Sequence, residues 1–206
     1  MNKRQPHWWE RPTGRPAIGV LVDYIGDHLP EAFLKDRRDD YLGYDMSKAA
    51  MAPKLPAYVQ QMTAFGQWLD GILAQQKGYL TGDRLSAADL AGYHVLWLLR
   101  ANCGADAIDA RLGLSKRITA WMDAIAAIGH GQVTPMTPEE AVAAARAAQP
   151  ADGFAADADP SGLRKGAAVV VTPEDNAKVP VDGIPVAADA QEIVIERRSD
   201  ATGRLH

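Results

Sequence analysis

The sequence lacks most of the features that mark secreted, membrane-spanning and nucleic-acid-binding proteins. Its single cysteine, Cys103, cannot form an internal disulfide, so a reducing compartment such as the cytoplasm is expected. Residues 1–7 lack the apolar run of a signal peptide. The longest strongly apolar stretches, such as residues 95–99, are far too short to span a bilayer. A net charge of −4 without a sustained basic block gives no support for nucleic-acid binding. We therefore expect a cytoplasmic protein that binds neither membranes nor nucleic acids.

Sequence motifs for phosphate and metal chemistry are also missing. The chain contains neither a Gly-x-Gly-x-x-Gly fingerprint nor a Walker sequence. His94 has no second histidine or cysteine three or four residues away, which argues against a metal site on its helix. Carboxylates are numerous, but no pair stands out from the solvated ones. The sequence thus predicts no metal site and no catalytic residue.

The most informative stretch of the sequence lies at residues 82–90, which contain all the signals of a helix N-terminus. Ser86 is the expected N-cap, and Asp89 at the third helical position can reach back to its N–H, which makes a capping box. Leu85 and Leu90 flank the box as a hydrophobic staple, and Gly82 precedes it in a turn. A hydroxyl–carboxylate pair for catalysis is the alternative interpretation of Ser86 and Asp89, but capping satisfies both groups.

Apolar residues recur at helical spacing in several segments. They predict a helix from Pro16, a long helix over about 57–76, the capped helix over about 87–100, and two more over about 115–128 and 137–148. Residues 35–56 are expected to form a loop or a frayed helix end. Since the capped helix is apolar almost all round, we expect it to be the buried central helix.

The character of the chain changes after the last predicted helix. Residues 150–162 are rich in Gly, Ala, Asp and Pro and predict a linker. Residues 167–171 and 191–196 predict strands, with Asp182-Gly183 as a turn between them and a further strand from Thr202 onward. The expected organisation is an irregular segment (1–15), a helical domain (16–149), the linker and a small β-rich module (163–206). That module is marginal in size, so we expect it to be incomplete or to pack on the helical part.

The capping box, its staple and the order of the helices resemble the C-terminal helical domain of the glutathione S-transferase family. The matching residues are Gly82, Leu85, Ser86, Asp89 and Leu90, and the helix that contains Trp121 resembles the one that follows in that domain. The resemblance covers roughly residues 16–148. It implies a mainly α fold, a helical bundle like that domain, here followed by the β-rich tail.

The resemblance also implies a substrate site. In this family an apolar pocket is lined by the first helix of the domain and by the central helix, so Tyr24, His28 and Trp97 are the candidate pocket residues. Core packing is the alternative role for Trp97. The implied co-substrate is glutathione, the implied substrate is a small hydrophobic electrophile, and a homodimer is the implied assembly.

The sequence departs from the family at its start. Family members place a thioredoxin-like, glutathione-binding domain before the helices, whereas only residues 1–15 precede the first predicted helix here. Cys103 follows a helix C-terminus, which is the negative end of the helix dipole and does not lower the pKa of a thiol. A structural role is therefore expected for Cys103. Two hypotheses follow. The chain is the substrate-side part of a glutathione-dependent enzyme and is inactive alone, or it is a non-catalytic binding and dimerisation module on the same fold.

Overall fold

The computed structural model describes residues 14–150, 162–163, 166–174 and 178–205. The chain divides into two compact units between Gly131 and Gln132. The sequence instead predicts a boundary after residue 149, with the last helix on the helical side. That helix groups with the second unit because Arg146 donates hydrogen bonds to the carbonyl oxygens of Asp200 and Ala201, both at 2.9 Å. Most of the predicted segments 1–15 and 150–162 lie outside the described residues.

The first unit is helical. Its helices are α1 (Gly14–Ile25), α2 (Glu31–Asp36), α3 (Lys48–Met51), α4 (Leu55–Leu73), α5 (Ala87–Cys103), α6 (Ala105–Leu112) and α7 (Lys116–Ala126). A π-helical turn, Arg37–Tyr41, follows α2, and single 3-10 turns occupy Gly26–His28 and Ala52–Lys54. No helix among the described residues is long and apolar enough to cross a membrane.

Two stretches of the helical unit differ from the sequence prediction. Residues 35–56, expected to form a loop or a frayed helix end, contain the end of α2, the π-helical turn and α3. Helix α6 was not expected, because its mixed sequence buries only Ile108 and Leu112 and so shows little helical periodicity. Helix α1 begins at Gly14, two residues before Pro16, which leaves this proline in the first turn, where it is tolerated.

Helix α1 packs against α4 and α5, and α4 also contacts α6 and α7. Glycine permits the closest of these approaches: a Cβ built on Gly19 would lie 2.1 Å from the Tyr58 ring of α4. The core contains fully buried aliphatic and methionine side chains from α1, α4, α5, α6 and α7: Val20, Val22, Met62, Leu96, Leu99, Ile108 and Ile118. The helical unit therefore has a hydrophobic core of its own.

The second unit joins one helix to a small antiparallel sheet. Helix α8 (Pro138–Ala147) begins with a capping box in which Thr137 accepts from the Glu140 N–H at 3.1 Å and donates its own N–H to the Glu140 carboxylate at 2.8 Å. The strands are β1 (Val169–Val171), β2 (Val181–Ala188), β3 (Ile193–Ser199) and β4 (Gly203–Leu205), hydrogen-bonded in chain order. An irregularity between Pro185 and Ala187 shifts the register of β2 on β3.

The prediction of a turn at Asp182-Gly183 is wrong. Both residues lie in β2, where Gly183 pairs with Val169 and Asp182 with Val170. A Cβ at Gly183 would lie 2.9 Å from Ile195 of the adjacent strand, so glycine serves there to admit that side chain. Asp-Gly is a turn signal in isolation, and cross-strand packing overrides it here.

Candidate functional site

The best-defined polar centre of the helical unit is the carboxylate of Asp89, which is completely buried. Its Oδ1 accepts from the Leu80 N–H at 2.7 Å and from the Trp121 indole Nε1–H at 3.0 Å. Its Oδ2 accepts from the Ser86 N–H at 2.9 Å and from the Ser86 hydroxyl at 2.6 Å. Through these hydrogen bonds, one side chain connects the start of α5 to the preceding loop and to α7.

Four donors determine the chemistry of this carboxylate. Burial by itself raises the pKa of Asp89, but the hydrogen bonds from Leu80, Ser86 and Trp121 outweigh burial and leave the pKa below its usual value. An ionised carboxylate whose lone pairs are all occupied, and which no solvent reaches, is not available as a general base. The arrangement of Ser86 and Asp89 is therefore a structural cap and not a catalytic pair.

The capping box at the start of α5 is present. Gly82 has a φ of 135°, in the region that favours glycine, and it closes the preceding turn through mutual backbone hydrogen bonds with Tyr79 at 3.0 and 3.3 Å. The two staple residues are open to solvent, since Leu85 is 38% exposed and Leu90 is 51% exposed. At the start of α5, the hydrogen bonds of the capping box therefore contribute more to stability than the two staple residues do.

Helix α5 has an exposed face, contrary to the expectation that it is buried almost all round. The face that packs inward consists of Asp89, Gly92, Leu96 and Leu99. On the outer face, Leu90, His94 and Trp97 follow one another at spacings of four and three residues, and Trp97 is 45% exposed. The His94 and Trp97 rings stack with their centroids 6.0 Å apart. Periodicity cannot show which side of an apolar helix lacks a covering element, and periodicity alone therefore overestimates the burial of α5.

The other two predicted pocket residues lie at the end of α1 and in the turn after it. Tyr24 is half-buried, with the Arg111 guanidinium 5.1 Å from its ring centroid, and Arg111 also pairs with Asp23 at 2.7 Å. His28 is exposed in the 3-10 turn. Among the described residues, no ring contact or hydrogen bond joins Tyr24 or His28 to Trp97. Their shared role in a pocket remains a prediction.

The only thiol of the chain lies where α5 ends and is half-buried. Burial raises the pKa of Cys103, the nearby Arg111 guanidinium lowers it, and Asp23 raises it, with a net increase. A thiol with a raised pKa stays protonated at neutral pH and is a poor nucleophile.

Several pairs that position these elements have no signal in the sequence. The Trp121–Asp89 hydrogen bond joins residues 32 positions apart, and the Arg111–Asp23 pair spans 88 positions. Arg100 at the end of α5 pairs with Asp109 of α6 at 3.0 Å. No group of three or more metal-ligating side chains occurs in the part of the chain that the structure describes.

Comparison with known proteins identifies the helical part. Residues 36–130 match the family model described as "Glutathione S-transferase, C-terminal domain". This part of the chain belongs to the glutathione S-transferase C-terminal domain family. The resemblance found in the capping box is thereby confirmed at the level of the family.

A solved structure resembles more of the chain than the family model covers. The chain is similar to a GST-like protein from Pseudomonas syringae, with 20% sequence identity and a TM-score of 0.62. The match covers 98% of this chain and 66% of that one, so the chain spans just under two thirds of the length of its structural neighbour. At this identity the likeness shows the fold alone. No curated protein matches the chain.

Proposed function

We propose that this chain supplies the apolar, substrate-side surface of a glutathione S-transferase-like protein, and that the outer face of α5 around Trp97 is that surface. The observation that carries the proposal is the exposed, stacked pair of His94 and Trp97. Leu90 extends the same face, and the charged residues of α5, Asp89 and Arg100, are bound to other groups. Exposed aromatic area of this kind binds flat apolar molecules.

The α5 face does not fit glutathione itself. Glutathione carries two carboxylates and an ammonium group, which require charged or strongly polar partners, and this face presents only Leu90, His94 and Trp97. As the family resemblance implies, we propose that glutathione binds to a separate thioredoxin-like domain. When bound there, glutathione supplies the thiolate that attacks an electrophile. The residues of this chain hold the small hydrophobic electrophile in position, and proximity of the two reactants then accelerates the reaction.

Tyr24 adds to this surface only indirectly. The Arg111 guanidinium lies over the Tyr24 ring and is itself paired with Asp23. One side of the ring is therefore already covered, and Tyr24 contributes more to the structure at the end of α1 than to a free aromatic surface. Of the three predicted pocket residues, Trp97 is therefore the one on which the proposal rests. The single cysteine supports a reducing compartment, and we propose the cytoplasm.

A second candidate function is a non-catalytic binding and dimerisation module. It is favoured by another exposed aromatic residue, Trp68, which lies on α4 and is 61% exposed. The intact mass of the protein isolated from its source separates the two functions. A mass near the 22.2 kDa of this chain would favour the module, and a larger mass with residues upstream would favour the transferase.

Binding of an apolar fluorescent probe, anilinonaphthalene sulfonate, tests the surface. We expect Trp97→Ala to weaken binding about two- to twelvefold, since an aromatic contact contributes about 0.5–1.5 kcal/mol beyond its buried area. Trp68→Ala removes another exposed tryptophan from the same unit and is the matched control. Equal binding by wild type and Trp97→Ala would refute the assignment.

A conjugation assay tests the placement of the glutathione site. Residues 1–206 incubated with glutathione and a chromogenic electrophile should give no turnover above the uncatalysed reaction, because no described group of the α5 face activates a thiol. Turnover by the purified chain would show that glutathione is bound and activated within it.

A further inference from the structure

The C-terminal unit contains a cleft that the proposed function does not use. The ladder between β2 and β3 ends at the pair Ile184–Glu196. Before Ile184, β2 pairs with β1, and after Glu196, β3 pairs with β4. A cleft of about 460 Å³ lies where the β2–β3 ladder ends, and residues in or next to β1, β2 and β3 line it. Its volume lies within the range of about 300–1,000 Å³ that is typical of ligand sites.

One face of the sheet contributes both apolar and charged side chains to this cleft. Val170 lies opposite Asp182, and direct cross-strand partners share a face. Ile184 lies opposite Glu196, two positions after Asp182, and Arg198 lies two positions after Glu196. These residues therefore share one face of the sheet. Val170 and Ile184 are both exposed, so the cleft offers an apolar surface beside its charged side chains.

Arg198 is the charged residue of the cleft whose charge is not balanced. Arg197 pairs with Asp182 at 3.6 Å, and Arg204 pairs with Glu196 at 2.6 Å. In the part of the chain that the structure describes, no carboxylate pairs with Arg198. Arg198 also lies directly opposite Arg204 in the β3–β4 ladder. Like charges in this position destabilise a sheet, so an anion bound at Arg198 would relieve the repulsion.

The strand segments on the two sides of the cleft each have one edge outside the ladders. Val181–Gly183 pair with β1 and Arg197–Ser199 pair with β4, and within the described strands no ladder joins these two segments to each other. Strand edges of this kind bind extended peptides through backbone hydrogen bonds. The cleft therefore offers partners for a peptide backbone, for an apolar side chain and for a negative charge.

We propose that this cleft binds the C-terminus of an extended peptide whose last side chain is apolar. The planar guanidinium of Arg198 can donate two parallel hydrogen bonds to the terminal carboxylate. The last side chain then covers Val170 and Ile184. Asp182 and Glu196 line the same cleft and repel a dianion, such as a phosphate ester, more strongly than a single carboxylate. The site does not depend on the function proposed for the α5 face.

Titration of the ¹⁵N-labelled full chain with acetyl-Ala-Ala-Leu, followed by NMR, tests the site. We expect the amide signals of Val170, Ile184 and Arg198 to shift with a Kd of about 0.1–1 mM, as is typical of a ligand of this size. The same peptide with a C-terminal amide lacks the charge and should bind about tenfold or more weakly. Acetyl-Ala-Ala-Gly lacks the apolar side chain and should bind about fivefold or more weakly.

Two variants assign these effects to their residues. Arg198→Gln should weaken binding of the acid peptide about tenfold, so that the acid and the amide bind alike. Val170→Thr keeps the β-branched shape at an exposed position and should reduce the difference between the Leu and Gly peptides. Lys178→Gln removes the same charge from an exposed position of the same unit and is the control that should leave binding unchanged.

The dispersion of the amide signals shows whether each variant is folded. Equal binding of the acid and amide peptides to the wild type would overturn the proposal, and so would binding of the acid peptide that Arg198→Gln leaves unchanged. No shift in the cleft up to about 20 mM peptide, well above the expected Kd, would also overturn it. Shifts confined to the α5 face would place the peptide at the other surface and contradict the assignment to this cleft.

Discussion

The two units of the molecule are stabilised in different ways. The helical unit buries aliphatic side chains completely, among them Leu96, Leu99 and Ile118. In the described part of the C-terminal unit, the buried hydrophobic residues are Ala187 and Ala188, and the isoleucines of β3 are only half-buried. Small sheets with little buried area depend on their backbone ladder and are marginally stable. We therefore expect most of the free energy of unfolding to reside in the helical unit.

The position of the aromatic residues makes this comparison measurable. All tryptophans and tyrosines of the sequence precede residue 132, so intrinsic fluorescence reports on the helical unit. Amide hydrogen exchange of the strands reports on the C-terminal unit.

The largest effect is expected from Asp89→Ala. The substitution leaves the buried N–H of Leu80 and the indole N–H of Trp121 without their acceptor and removes the bonds from Ser86. Each unsatisfied buried donor costs about 1–3 kcal/mol, so we expect a total loss of about 3–5 kcal/mol. Urea unfolding followed by circular dichroism measures this loss. Asp83→Ala, an exposed carboxylate in the same loop, is the control, and a comparable loss there would contradict the role of Asp89.

A pair of truncations compares the two units directly. Leu99→Ala opens a cavity in the helical core and should cost about 3 kcal/mol, measured from fluorescence-detected urea unfolding. Ile195→Ala removes a half-buried side chain from β3 and should cost about 1 kcal/mol, measured from strand hydrogen exchange. Equal costs would mean that the C-terminal unit is packed as tightly as the helical unit.

The pH dependence of stability tests whether ionised Asp89 stabilises the helical unit. Because the pKa of Asp89 is lower in the folded protein, its contribution is fully present above the unfolded value of about 3.9 and is lost as the pH falls through the folded value. The difference in stability between wild type and Asp89→Asn should therefore be constant near neutral pH and shrink below about pH 4. A difference that stays constant down to pH 2 would show that the pKa of Asp89 is the same in the folded and unfolded states.

Local signals in the sequence predicted the local structure well. The capping box at Ser86 follows from residues three positions apart, and it is present. Interactions across the fold left no such signal, because Trp121 and Asp89 are brought together only by the packing of α7 against α5. The exposure of Trp97 was also unpredictable from periodicity, which identifies apolar residues but not the element that covers them. Strand β2 was missed because Asp182-Gly183 has the composition of a turn.

The smallest effect is expected from Thr137→Ala, at the cap of α8. The hydroxyl of Thr137 accepts from the Glu140 N–H, and the threonine N–H holds the pKa of Glu140 below its usual value. Loss of an N-cap hydroxyl costs about 1 kcal/mol, and the helix is exposed along most of its length, so fraying should remain local. Hydrogen exchange of the first-turn amides of α8 should rise about fivefold, as expected for that free-energy loss, while Thr134→Ala, outside the helix, changes nothing. A shift of the fluorescence-detected unfolding midpoint would mean that α8 contributes to the stability of the helical unit, contrary to the division between Gly131 and Gln132.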